Sequence, residues 1–383
     1  MNILFLDQSG NLGGAELCLL DIAKPYRDRS LVALLSDGPF RQLLEQHQIP
    51  VQVLAARPLS VRKQSSWIKG VGSLAQLMPL VAKVVQLSRD YDLIYANTQK
   101  ALVVGAIASW VSRRPLVYHL HDILSADHFS RSNRRLAVTL ANRAALVIAN
   151  SKASQIAFVE AGGRAEITQV VYNGFEPENY QDGTAAESLK QQLGLDGHFV
   201  VGHFSRLSPW KGQHILLSAL SECPEDVIGL FVGDALFGEH EYVQQLQAQV
   251  AALGLQSRVR FLGFRSDVVA LMSACDLVAH TSTAPEPFGR VIVEAMLCGR
   301  PVVAAQAGGA TELIDSGSNG WLIPPENPQQ LAAVIKACRA QPEQTQAIAH
   351  QAQIQASQRF HLHTINQQIA QLLHWTLTGV QQI

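Results

Sequence analysis

Residues suited to holding an oxygen-rich, negatively charged ligand are concentrated in two segments of the chain. In AHTSTAPEPFGRVIVEAMLCGRPVV, from Ala279 to Val303, Glu286 and Glu294 lie eight residues apart in a pattern that reads strand, loop, helix, loop and strand. Pro285 and Pro287 stiffen the loop carrying Glu286, Gly289 to Leu297 has helical spacing, and Gly299-Arg300-Pro301 ends the helix. One acid is thus in a loop and the other inside a helix, so both can reach a cleft from different depths. Backbone N–H groups near Phe288 and Gly289 add donors and the positive end of a helix dipole. By type alone, the pair reads equally well as a helix-start acid and a partly buried helix acid. In GHFSRLSPWKGQ, from Gly202 to Gln213, Arg206 and Lys211 share the loop after a strand. Two fixed cations at a strand end suit a diphosphate. Surface cations are the plain alternative.

Three further turns have weaker signals. In QSGNLGGAE, from Gln8 to Glu16, a glycine-rich turn joins a strand to a helix. It is not G-x-G-x-x-G and no ribose-binding acid follows the second strand, which argues against a dinucleotide site, but Gly13 and Gly14 could still hold phosphate or form a plain tight turn. HLHD, from His119 to Asp122, places His121 and Asp122 at a strand's carboxyl end facing the cleft; a buried, satisfied histidine is the commoner reading of such a residue. QAGGATELI, from Gln306 to Ile314, lets the backbone at Gly308-Gly309 approach a ligand before a helix, and Glu312 reads first as a cap or dipole partner for that helix.

The elements that must position these residues alternate regularly. Apolar runs at Ile3–Leu6, Leu31–Leu35, Val51–Leu54, Leu93–Tyr95, Leu116–His119 and Leu146–Ala149 are separated by helical patterns, as in a parallel sheet covered on both faces. The alternation breaks across Glu176 to Gly197, read as an interdomain linker. It resumes at Phe199–His203, Val227–Val232, Val259–Leu262, Leu277–His280, Pro301–Ala304 and Trp321–Ile323. A Gln- and Ala-rich helical stretch from Pro342 to Leu377 closes the chain. The expectation is an α/β protein of two doubly wound domains, 1–178 and 179–355, with a final helix over 356–383 returning towards the first. Ligands belong outside the carboxyl ends of such strands.

The chain's 383 residues, 48% hydrophobic and 16% charged, are enough for two cores. A formal net charge of −1 argues against nucleic acid as a partner. Residues 1–180 hold about 19 Lys/Arg against 14 Asp/Glu and the rest the reverse excess, so the front half is basic. Cys18, Cys223, Cys275, Cys298 and Cys338 are scattered singly, which argues against a disulfide framework and a zinc site and fits a reducing, cytoplasmic compartment. The N-terminus reads as a buried strand, and the longest uncharged apolar stretch, Ala101 to Val111, is too short to span a membrane. Arg57, Arg62, Lys63 and Lys69 around Trp67, ahead of an apolar Leu74–Leu87 pattern, suggest peripheral contact with an anionic membrane; a helix covering the sheet is the alternative.

The spacing of Glu286 and Glu294, with the surrounding PFG and EAMLCGRPVV, resembles the E-x7-E motif of glycosyltransferase family 4, retaining enzymes of the GT-B fold. The loop with Arg206 and Lys211 is similar to that family's G-R-L-x-x-x-K-G with Ser205 where glycine is usual, QAGGATE to its G-G-x-x-E, and GGAE to its G-G-x-E. The resemblance implies two facing Rossmann-like domains and transfer of a hexose from a UDP- or GDP-linked sugar to a glycan, lipid-linked or small-molecule acceptor. It implies that Glu286 contacts the sugar hydroxyls, Glu294 the ribose, Gly13 and Gly14 the distal phosphate or the acceptor, and that His121 lies beside the donor sugar. Asp122 and Asn173 fall on the acceptor side, Asn150-Ser151 resembles another family loop near the hinge, and Glu176 stands where many members have aspartate. The nucleotide sugar is a substrate, no cofactor is needed, and Arg206 and Lys211 take a metal's place. Asp90-Tyr91-Asp92 has the D-x-D form of another glycosyltransferase fold but leads into a strand, and so reads as a solvated turn. An epimerase or phosphorylase of the same fold, or a non-catalytic descendant, are the competing readings.

Overall fold

A computed structural model describes every residue except 9, 55–70, 126–128, 182–185, 236–238 and 380–383, with the side chains of 71–76 also left aside. The basic residues Arg57, Arg62, Lys63 and Lys69 and Trp67 lie outside the described residues.

Thirteen strands form among the described residues where the short apolar runs stand: β1 Ile3–Asp7, β2 Ser30–Leu34, β3 Val51–Val53, β4 Leu93–Ala96, β5 Leu116–Leu120, β6 Leu146–Ala149, β7 Thr168–Val170, β8 Phe199–Phe204, β9 Val227–Val232, β10 Val259–Phe261, β11 Leu277–His280, β12 Val302–Ala305 and β13 Trp321–Ile323. They make two parallel sheets, ordered β3-β2-β1-β4-β5-β6-β7 and β10-β9-β8-β11-β12-β13. In each, strand order reverses beside the first strand, the position at which open α/β sheets bind ligands. The chain divides into two compact units, Met1–Gly174 with Leu362–Ile383, and Phe175–His361.

In the first unit, one sheet face packs Leu4, Leu6, Ile94, Tyr118 and Leu120. The other packs Ile3, Phe5, Tyr95, Val117 and Ile148. This two-sided burial explains the unbroken apolar runs. The second face is completed by the helix Leu362–Thr378, whose Ile365, Ile369 and Leu373 recur at helical spacing and are buried. Asn366 Nδ2 ties this helix to the Asp21 carbonyl at 3.0 Å.

Several expectations change. The unit boundary falls between Gly174 and Phe175 rather than at 178, and the return between His361 and Leu362 rather than at 355. Glu176–Gly197 is no bare linker: it holds a 3-10 turn, Pro177–Tyr180, and a helix, Ala186–Gln192, with Ala186 and Leu189 buried in the second unit. The C-terminal stretch is two helices, Pro342–Arg359 and Leu362–Thr378, interrupted where Phe360 accepts a hydrogen bond from the Phe175 N–H at 2.8 Å. The edge strand β7, with the single apolar Val170, was too polar and short to read from periodicity.

Candidate active site

Candidate functional side chains gather in two clusters, one per unit, each at the carboxyl end of its sheet where strand order reverses.

In the second unit, β8 leads into the loop with Arg206 and Lys211, and β11 into the loop with Glu286. Lys211 Nζ donates to Glu286 Oε2 at 2.7 Å, Ser282 Oγ donates to the same oxygen at 3.1 Å, and His280 Nε2 lies 3.3 Å from it. Burial disfavours the charged carboxylate, but the Lys211 charge and then His280 outweigh it and hold Glu286 well below the usual carboxylate range. Lys211 Nζ is 4.0 Å from the Trp210 ring centre and the Arg206 guanidinium 5.7 Å, so one indole is flanked by both cations. Gly212 follows at φ +71°, and a Cβ there would sit 1.9 Å from the Thr281 carbonyl oxygen; only glycine lets the two loops approach this closely.

Glu294 lies inside the helix Arg290–Leu297, with Oε1 3.4 Å from Arg290 Nε one turn earlier. Gly289 caps that helix at φ +95°. Phe288 is 2% exposed and its ring packs on Phe175 and Phe360, so the ring is taken up by the core. The Gly308-Gly309 turn makes a close backbone approach of its own. Its backbone closes on the Glu286 loop, with Gly309 N–H donating to the Glu286 carbonyl at 2.7 Å and a Cβ at Gly308 falling 2.3 Å from that oxygen. The pair therefore positions Glu286. Glu312 sits in the first turn of the short helix Ala310–Leu313.

In the first unit, Asp7 closes β1 and Asn97 directly follows β4, where its N–H donates to the Leu6 carbonyl at 3.0 Å. Asn97 Nδ2 then reaches Asp7 Oδ2 at 2.7 Å and the Ala15 carbonyl at 3.0 Å. With both amide hydrogens used, Asn97 Oδ1 accepts from His121 Nε2 at 2.9 Å, which puts a proton on Nε2 and, in the neutral ring, leaves Nδ1 as the acceptor. His121 and Asp122 are half-buried. Gly13 precedes the helix Gly14–Ala23, and a Cβ on Gly13 would meet Glu16 Oε2 at 2.8 Å. Burial first, then the charges of Asp7 and Asp122, push the Glu16 carboxyl up to about 8, which leaves it mostly protonated at pH 7. Asn173 Oδ1 accepts from Cys18 Sγ at 3.4 Å. Asn150 and Ser151 are buried and serve the helix Lys152–Glu160: Ser151 Oγ caps it by accepting from the Ser154 N–H at 2.9 Å.

The structure thus joins Lys211 to Glu286 and sets Arg206 beside them. It groups His121, Asp122 and the Gly13-Gly14 turn in the other unit. Sequence reasoning missed His280, Ser282, Trp210, Asp7, Asn97 and Glu16. Their one common signal is a polar residue at or just past a strand's carboxyl end, or, for Trp210 and Glu16, inside a turn already singled out. Asp92 accepts from the Asn2 N–H at 2.7 Å in an exposed turn at the opposite, amino end of β4. Among the described residues no helix is long and apolar enough to cross a membrane.

Comparison with known proteins follows the same division. Residues 185–355 match the family described as "Glycosyl transferases group 1", and residues 13–174 match "Glycosyl transferase 4-like domain". The chain is 33% identical to spore coat protein SA of Bacillus subtilis over 208 residues, covering 50% of this chain and 55% of that protein, so it spans little more than half of that relative's length. It is 31% identical to D-inositol 3-phosphate glycosyltransferase of Corynebacterium urealyticum, with 72% of this chain and 71% of that one covered. Among solved structures, Anabaena Alr3699/HepE in complex with UDP-glucose is 63% identical at a TM-score of 0.91, covering 98% of this chain and 99% of that one. Sucrose-phosphate synthase from Thermosynechococcus elongatus shares the fold at a TM-score of 0.82 and 20% identity. The chain belongs to the group 1 glycosyltransferases of the family 4 type, built on two Rossmann-like parallel-sheet units as in the GT-B fold.

Proposed function

We propose that this glycosyltransferase moves a hexose from a UDP-linked donor to a glycan, lipid-linked or small-molecule acceptor, with retention of configuration and without a metal ion. The observation that carries the reading is the second unit's loop pair, in which Arg206 and Lys211 flank Trp210 beside the largely buried, ionised Glu286. It is supported by 63% and 64% identity to an Anabaena protein held with UDP-glucose and with UDP and glucose.

On this reading Arg206 and Lys211 bind the diphosphate and stabilise the charge it gains as the bond from the sugar's anomeric carbon to phosphate oxygen breaks. Glu286, kept ionised by Lys211, accepts hydrogen bonds from sugar hydroxyls, and Glu294 from the ribose hydroxyls. The acceptor oxygen bonds the anomeric carbon on the face the diphosphate leaves, and its proton passes to the departing phosphate oxygen. His121 Nδ1, whose lone pair is fixed by Asn97, would accept from a substrate hydroxyl. Gly13 and Gly14 would take phosphate or acceptor, with Asp122 and Asn173 on the acceptor side. Two protein cations supply the electrostatic work a divalent ion would do elsewhere. A cytoplasmic place, with or without peripheral contact to the membrane's inner face, fits five buried thiols and a nucleotide-sugar donor.

NMR of the transfer product tests the reading: the anomeric configuration of the donor sugar should be kept, and an inverted product would overturn the same-face mechanism.

A further inference from the structure

Three soft or borderline ligands converge in the first unit, two from one strand end and the third from a helix about a hundred residues earlier in the chain. Cys18 lies on the helix Gly14–Ala23, His119 in β5 and His121 just beyond it, and one ligand atom from each lies within 4.8 Å of the others. The two imidazole centres are 4.0 Å apart. Cys18 is 3% and His119 1% exposed, while His121 is half-buried. His119 Nδ1 is 2.8 Å from the Tyr95 hydroxyl, but its Nε2, shut off from solvent, has no hydrogen-bond partner among the described residues. Such an orphaned buried nitrogen is costly and calls for an explanation.

We propose that Cys18 Sγ, His119 Nε2 and His121 Nδ1 form a binding site for a zinc-like divalent transition ion. Three protein ligands of this type leave a fourth tetrahedral position for water or a substrate oxygen. The outer partners are in place: Tyr95 hydroxyl accepts from His119 Nδ1–H once Nε2 turns to the ion, and Asn97 Oδ1, itself held by Asp7, accepts from His121 Nε2–H. On binding, the Cys18 S–H bond is replaced by a sulfur–metal bond and one proton leaves to solvent. Metal–ligand lengths of about 2.0–2.3 Å require ligand atoms roughly 3.5 Å apart, so the cluster tightens by about 1 Å, with the half-exposed His121 ring as the entry side. Because the ion takes His121 Nδ1, it should inhibit transfer; that consequence, unlike the site itself, rests on the proposed function.

Cobalt(II) added to the full-length, metal-stripped protein is the test. One equivalent should give a thiolate-to-cobalt band in the near ultraviolet with tetrahedral d–d bands in the visible, displaced by zinc. Cys18→Ser should abolish the near-ultraviolet band, and His121→Gln should weaken cobalt affinity by about 100-fold or more. Cys338→Ser, at another buried thiol, should change neither. No thiolate band in the wild type, or a band that survives Cys18→Ser, would overturn the site, with far-ultraviolet circular dichroism and cooperative thermal unfolding confirming that each variant is folded. Zinc inhibition of the wild type but not of Cys18→Ser would support the consequence; a full spectroscopic site without inhibition would leave the site standing and remove His121 from transfer.

Discussion

Lys211 stands out among single residues because two demands meet on it: it neutralises the largely buried Glu286 and, on the proposed function, binds the diphosphate. Lys211→Ala should lower kcat/KM by about a hundredfold or more, the scale of losing one preorganised electrostatic contact, in steady-state assays with UDP-glucose. It should also lower Tm, because Glu286 is left charged and buried beside only His280 and Ser282. Glu16 gives a pH prediction. Its folded value of about 8 exceeds the unfolded 4.5, so between them the folded chain keeps a proton that the unfolded chain has released. The stability from this group is full below about 4.5 and is lost as pH rises towards 8. Glu16→Gln should therefore raise Tm relative to wild type by several degrees at pH 8 and little at pH 5; equal effects at both would contradict the assignment. His203 acts oppositely in the second unit. Burial first, then His280, hold it down at about 3 against 6.5, so its contribution is complete above 6.5 and is lost as pH falls towards 3.

At the scale of elements, the loops after β8, β11 and β12 form one interlocked piece. Gly212 fits against Thr281, and Gly308 against Glu286. Gly308→Ala places a methyl on the Glu286 carbonyl in a backbone conformation of φ +62°. It should cut kcat/KM at least tenfold, while Gly317→Ala, at φ +84° with nothing within 4 Å, should leave kcat/KM near wild type; the same assay on both variants separates the Glu286 contact from simple backbone strain. Much of this was legible in the sequence. Apolar runs named twelve of the thirteen strands because burial on both faces demands them, and Glu286, Arg206 and Lys211 sit in turns whose glycines and prolines advertise them. What was not legible depends on register across strands far apart in the chain. Asn97 meets Asp7 only because β4 pairs with β1, and His280 reads as a strand residue until Glu286 folds back over it. The packing of Gly308 against the Glu286 backbone was not legible either, because a close backbone approach has the same signature whether its neighbour is a ligand or another loop.

For the whole molecule, the chain's return to its first unit is structural rather than decorative. Ile365, Ile369 and Leu373 cover the face built by Ile3, Phe5 and Tyr95. Removing residues 362–383 uncovers at least three aliphatic side chains worth roughly 1.5–3 kcal/mol each when buried. A chain ending at His361 should lose cooperative unfolding of the first unit and bind a hydrophobic dye, while the second unit keeps its native near-ultraviolet signal.

The central claim is that the second unit holds a uridine nucleotide sugar through Arg206, Lys211, Glu286 and Glu294 without a metal. Thermal stabilisation of the purified full-length protein by UDP, GDP, ADP and their glucose conjugates, with and without EDTA, tests it most directly, since a ligand at about 100 times its Kd adds about 2.7 kcal/mol to the folded state. The account predicts a rise in Tm with UDP and UDP-glucose that survives EDTA and is lost in Glu294→Ala. No rise with any nucleotide, or one that EDTA abolishes, would contradict it.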